Sequence, residues 1–162
     1  MTMTDPKSSI SSIKIGEKVK DFTLLDDQGQ AFHLYEHIGT KNLVLFFYPK
    51  DDTPGCIKEV CHFRDEFEAF TDLNAHIVGV SNDGKESHKN FKAKYALPFK
   101  LLSDEKSRVR KMYGVKADLF GLLPGRVTFI IDKMGILRYV FNSHINIKKH
   151  VDEAIRILKE LN

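Results

Sequence analysis

The sequence has only two cysteines in 162 residues, Cys56 and Cys61. Two thiols cannot staple a disulfide-dense secreted scaffold. No long apolar run is present: the longest, Leu43 to Tyr48, falls far short of the roughly 20 residues a membrane-spanning helix needs. No block of five or six like charges occurs, and 25 basic residues are scattered among 22 acidic ones for a net charge of +3. A nucleic-acid groove would need clustered basic side chains with stacking aromatics, so nucleic acid is not an expected partner. Internal repeats, low-complexity blocks and Pro/Gly/Ser-rich linkers are missing as well.

What remains is a globular composition, 42% hydrophobic and 29% charged, of a length that suits one core. Residues 1–14 read as a flexible polar tail and 15–162 as a single domain. The tail shows neither an apolar signal region nor the arginine content of a transit peptide, so a reducing cytoplasm is the expected compartment.

Strand and helix patterns alternate along the chain. Asp21–Leu25 and Ala31–Leu34 flank Asp26-Asp27-Gln28-Gly29, a hairpin signal. Leu43–Tyr48, Ala75–Ser81 and Val127–Ile131 read as strands buried on both faces. Asp132-Lys-Met-Gly135 is a turn into a further strand, Ile136–Phe141. Cys56, Val60, Phe63, Phe67 and Phe70 lie on one helical stripe. Helices are also expected over Lys85–Tyr95 and Lys106–Tyr113, the latter stopped by Gly114, and after Asn146. This order predicts an α/β fold with helices on both faces of a sheet.

Chemistry concentrates in Tyr48-Pro-Lys-Asp-Asp-Thr-Pro-Gly-Cys56, where a buried strand runs through a loop into a helix. Thr53 suits the N-cap and Pro54 the first helical position. Cys56 then falls in the first turn, where unpaired N–H groups and the helix dipole favour an anion and so the thiolate of a cysteine. Two readings stand for Cys56: a reactive thiol, or a small buried hydrophobe on the phenylalanine stripe. Cys61 is five residues on. In an intact helix its Cα lies about 8.7 Å from that of Cys56 and its side chain about 140° away. A disulfide needs less than about 7 Å, so the two are unrelated or the helix start must unwind for them to meet. Zinc is not expected: Cys56, Cys61 and His62 do not converge on one point, and His33, His37, His76, His88, His144 and His150 show no ligand spacing.

Pro49-x-x-x-Thr53-x-x-Cys56 resembles the active-site motif of the peroxiredoxins. The longer string Phe47 to Cys56, with Lys58-Glu59, Cys61 and Phe63-Arg-Asp65, is similar to the peroxiredoxin Q or bacterioferritin comigratory protein subfamily. Gly79–Asp83, Leu97–Asp104 and Leu123–Asp132 extend the likeness over roughly residues 15–160. Ile57, where Thr or Ser is common, and the Phe120-Gly-Leu-Leu segment depart from the pattern.

The resemblance implies a thioredoxin-like fold, a central mixed β-sheet flanked by helices with an N-terminal β-hairpin extension. It implies reduction of hydrogen peroxide and organic hydroperoxides without metal or prosthetic group. By position, Cys56 would be the peroxidatic cysteine, Pro49, Thr53 and Arg126 would complete its pocket, and Cys61 would match the resolving cysteine. The resulting intramolecular disulfide would be reduced by thioredoxin or glutaredoxin, and it needs no second subunit, so a monomer is expected. Read without the resemblance, Arg126 is an exposed charge at a strand start. Two other functions fit the cysteines: a thioredoxin-type dithiol–disulfide oxidoreductase, disfavoured by the lack of Cys-x-x-Cys, and a redox-sensing module without turnover.

Overall fold

The computed structural model describes residues 13–117 and 125–162. Most of the expected tail and the Phe120-Gly-Leu-Leu segment lie outside the described residues. Seven strands form one mixed sheet in the order β2-β1-β5-β4-β3-β6-β7. They span Thr23–Asp26 (β1), Ala31–His33 (β2), Asn42–Phe47 (β3), Ala75–Ser81 (β4), Lys100–Ser103 (β5), Val127–Ile131 (β6) and Leu137–Asn142 (β7). β3, β4 and β5 run parallel, and the remaining pairings are antiparallel. The helices are Pro54–Asp65 (α1), Phe67–Asp72 (α2), Lys85–Tyr95 (α3), Arg108–Met112 (α4) and Ile147–Leu161 (α5).

The central strand β3 shows why its sequence is apolar at every position. Val44 and Phe46 face a core with Cys56, Val60, Phe63 and α5. Leu43, Leu45 and Phe47 face a second core with Phe22, Phe32, Val109 and Tyr113. A strand covered on both sides has no wet face to alternate with. The hairpin forms as expected, with Gly29 at φ +80° and Asp26 accepting from the N–H groups of Gln28 and Gln30.

Three local expectations need correction. The phenylalanine stripe is not one helix: the chain breaks at Glu66, leaving α1 and α2 separate, with Phe67 half-buried. The periodicity survives because both pieces press on the same core. β5 has no counterpart in the strand pattern; it is four residues long and buries only Leu101 and Leu102. The helix expected from Lys106 starts at Arg108, because Ser107 sits at φ +58° and Asp104 accepts from the N–H groups of Val109 and Arg110.

Candidate active site

β3 ends at Phe47, paired on one side with Val80 of β4 and on the other with Val127 of β6. Since β6 runs antiparallel to β3, the residue just before it, Arg126, lies level with Tyr48 and beside the loop that enters α1. Sheet register thus delivers an arginine from 70 positions away to the first turn of α1. Arg126 Nη2 donates to Cys56 Sγ at 3.5 Å, and Nη1 to Glu59 Oε1 at 2.6 Å. Arg126 is buried, which overturns its reading as an exposed charge, and Cys56 and Glu59 have no exposure at all.

Gly55 makes the approach possible. A Cβ at this position would stand 2.9 Å from Arg126 Nη2 and 3.0 Å from Ile147 Cδ1. Gly125 serves the other side, since a Cβ there would run into the carbonyl oxygen of Lys116.

Pro49 is buried beside the loop and Thr53 half-buried at its end. Thr53 takes the N-cap position in extended conformation, but its hydroxyl does not cap the helix. It donates instead to the Lys50 carbonyl at 2.8 Å. Asn146 likewise precedes α5 without capping it; Ser143 Oγ accepts from the N–H groups of Ile145 and Asn146. Cys61 lies half-buried within intact α1, and both cysteines are free.

Three groups around this centre were not anticipated. The first is Glu59. Burial pushes its carboxyl up to about 7, against the pull of Arg126. Its Oε2 is buried without a hydrogen bond among the described residues and lies 3.7 Å from His150 Nδ1. His150 Nε2 faces the Ser143 carbonyl at 2.7 Å, and Nδ1 accepts from Thr128 Oγ1 at 2.8 Å. Burial lowers His150 to about 4, so it is neutral at pH 7. The signal for Glu59 was its position: an acid three residues from Cys56 and beside Val60, on the buried side of the helix.

The second is Arg110. Its guanidinium donates to the Tyr48 carbonyl and the Gly125 carbonyl, each at 2.8 Å. It therefore ties the backbone before the cysteine loop to the backbone before Arg126.

The third is a buried knot holding the loop. Asp51 accepts from Tyr48 Oη at 2.6 Å, Ser87 Oγ at 2.8 Å and His88 Nδ1 at 2.7 Å. Its own N–H donates to Asp83 Oδ2 at 2.7 Å. His88 Nε2 faces the Leu102 carbonyl at 2.9 Å. Both ring nitrogens of His88 therefore meet oxygen partners. Asp51, Asp83 and His88 are the one group among the described residues with metal-ligand atoms clustered within 4.8 Å. Those atoms are already committed to hydrogen bonds, which suits a fixed loop better than a cation.

An arginine clamped between a buried thiol and a buried carboxylate, at the start of a helix behind Thr-Pro-Gly, suits chemistry that gathers negative charge near sulfur. Residues 15–140 match the AhpC/TSA family. The chain belongs to that family. It is a peroxiredoxin, an enzyme that reduces peroxides through a thiol. It is 47% identical over 156 residues to the chloroplastic peroxiredoxin Q of Sedum lineare, covering 96% of this chain and 83% of that protein. It is 46% identical over 149 residues to the chloroplastic peroxiredoxin Q of Arabidopsis thaliana, covering 92% and 68%. Among solved structures, peroxidoxin BcpB from Mycobacterium tuberculosis superposes with a TM-score of 0.86 at 36% identity, covering 93% of this chain and 99% of that one. Peroxiredoxin Q from Xanthomonas campestris gives 0.78 at 32% identity, covering 86% and 90%. The sheet flanked by helices is thus the thioredoxin-like arrangement of the peroxiredoxins, as the motif implied.

Proposed function

We propose that Cys56 is the cysteine that attacks the peroxide, with Arg126, Thr53 and Pro49 forming its pocket and Cys61 resolving the product. The observation that supports this reading most is the 3.5 Å contact from Arg126 to a fully buried Cys56 Sγ. The thiolate attacks the terminal peroxide oxygen, the O–O bond breaks, and charge moves from sulfur to the leaving oxygen. Arg126 carries a fixed charge and a rigid fork of donors, so it can balance that charge at both stages. Thr53, its hydrogen committed to Lys50, offers lone pairs to the peroxide O–H. Pro49 has no N–H to compete and shields the pocket.

The product is Cys56 sulfenic acid. Cys61 condenses with it to an intramolecular disulfide once the first turns of α1 unwind. A dithiol protein of the thioredoxin or glutaredoxin type then reduces the disulfide by exchange. Because the bond is made within one chain, the cycle runs in a monomer. Any compartment that keeps dithiols reduced supports it; the plant relatives named above are chloroplastic, so a plastid serves as well as the cytoplasm.

The test is to add one equivalent of hydrogen peroxide to reduced protein and measure intact mass and free thiols. Loss of one hydrogen from each thiol, with no oxygen retained and no dimer, supports the cycle. In Cys61→Ser the oxygen should stay on Cys56, and Cys56→Ser should not react. Oxygen retained on Cys56 in the wild type, with Cys61 free, would replace this cycle with resolution by an outside thiol.

A further inference from the structure

Resolution needs the thiolate of Cys61, because a thiol attacks sulfur only after losing its proton. Nothing found around Cys56 supplies that service. Cys61 is turned about 140° around α1 from Cys56, away from Arg126. Its thiol is pushed up by burial and by Asp65, with only Arg64 acting against them. At neutral pH it waits as the protonated, poorly nucleophilic form.

We propose that His62, oriented by Asp152, takes the Cys61 proton during disulfide formation. This inference rests on Cys61 being the resolving cysteine. His62 Nε2 lies 3.1 Å from Asp152 Oδ1 on α5. A carboxylate only accepts, so Nε2 carries a hydrogen, and the nitrogen left to take the Cys61 proton is Nδ1. That nitrogen has no hydrogen-bond partner among the described residues. Carboxylate and imidazole are thus paired as a base and the group that orients it, and Cys61 is the next residue along the chain. Cys61 and His62 also line one hollow of about 430 Å³ together with Lys58, Asp65 and Lys148. Of these, Asp65 opposes a thiolate. The charged and titratable groups around His62 are therefore Lys58, Arg64 and Asp65 from α1, and Lys148 and Asp152 from α5.

The pair also suits the required motion. Phe63 is fully buried, and the His62–Asp152 contact fastens α1 to α5 just past Cys61. Unwinding that begins at Pro54 and frees Cys61 meets this fastening at the next residue. An adjacent residue stays with the cysteine through that change, whereas a base on another element would be left behind. In the step itself the Cys61 proton passes to His62 Nδ1 and a sulfur–sulfur bond forms. The Cys56 S–O bond breaks, and the departing hydroxide takes the proton from His62 to leave as water. Cys61 is oxidised and the sulfenic sulfur reduced, so the balance closes without a further reactant.

The experiment follows one turnover of the full chain with one equivalent of hydrogen peroxide, quenched at intervals from pH 5.5 to 9. Sulfenic acid and disulfide are read separately by mass. In the wild type, disulfide formation should already be fast at neutral pH, where an unaided Cys61 is protonated. His62→Gln should slow this step about 10²-fold at pH 7. Its rate should climb steadily towards alkaline pH, as for an unaided thiol. Asp152→Asn, at a half-exposed surface position, should fall between the two, and free imidazole should restore part of the rate in His62→Ala. A wild-type rate and profile in His62→Gln would overturn the role of His62 while leaving Cys61 in place. Sulfenic acid that accumulates in the wild type with Cys61 still free would instead remove the resolving reading itself.

Discussion

Glu59 Oε2 and His150 Nδ1 lie 3.7 Å apart, both side chains wholly out of water. One is an acid held up to about 7 and the other a base held down to about 4. Their effects on stability run in opposite directions. From the ordinary 4.5 up to about 7, Glu59 keeps a proton that the unfolded chain has lost, so stability falls as pH rises. From the ordinary 6.5 down to about 4, His150 refuses a proton that the unfolded chain takes, so stability falls as pH drops. Between about 4.5 and 6.5 the two slopes cancel. Glu59→Gln should expose the histidine alone: the unfolding free energy from urea titrations should climb between pH 4 and 6.5, by on the order of 3 kcal/mol in all. A flat profile in the variant would contradict the pairing.

Arg126 is expected to matter for its shape as well as its charge. Arg126→Met should lower the rate of Cys56 oxidation by about 10²- to 10³-fold, the loss expected when a donor aimed at developing charge is removed. Arg126→Lys should recover little, because an ammonium cannot reach Cys56 Sγ and Glu59 Oε1 with two parallel donors. Stopped-flow oxidation rates check both.

Gly55→Ala separates helix stability from chemistry. Alanine favours the helix by about 1 kcal/mol over glycine. Its methyl would also press on Arg126 Nη2 and Ile147 Cδ1. A displaced guanidinium should slow Cys56 oxidation by about tenfold or more. Unfolding midpoints should stay near the wild type.

Gly79 lies in mid-β4, where a Cβ would approach Phe46 Cζ to 2.7 Å and Leu101 Cδ2 to 3.0 Å. Neither neighbour is free to move, as both are fully buried. Gly79→Ala should destabilise by about 2 kcal/mol through overpacking. A thermal melt should show a Tm lower by several degrees, about 2–4 °C per kcal/mol at this size.

Much of this was legible in the sequence, for identifiable reasons. β4, β6 and α3 match their expected bounds because their patterns are set by local burial and ended by turn residues such as Gly84. The α1/α2 break was hidden, since a stripe reports which core a segment faces and not whether its backbone is continuous. β5 was hidden because its pairing with β4 and β1 makes it a strand, and such pairing leaves little trace in four residues. Cys56 and Thr53 were placed by loop and helix chemistry alone. Arg126 needed the family motif, because what brings it to Cys56 is the antiparallel register of β6 on β3. Glu59 and His150 are hardest to read: only a place on the buried side of its helix hints at Glu59, and nothing marks His150 until the fold encloses it.

The contact of Gly125 with the Lys116 carbonyl sets two separate stretches of backbone side by side. Arg110 fixes the same point again through the Gly125 carbonyl. The residue before Arg126 is thus gripped from two directions, and the arginine that faces Cys56 inherits its place from that backbone anchor.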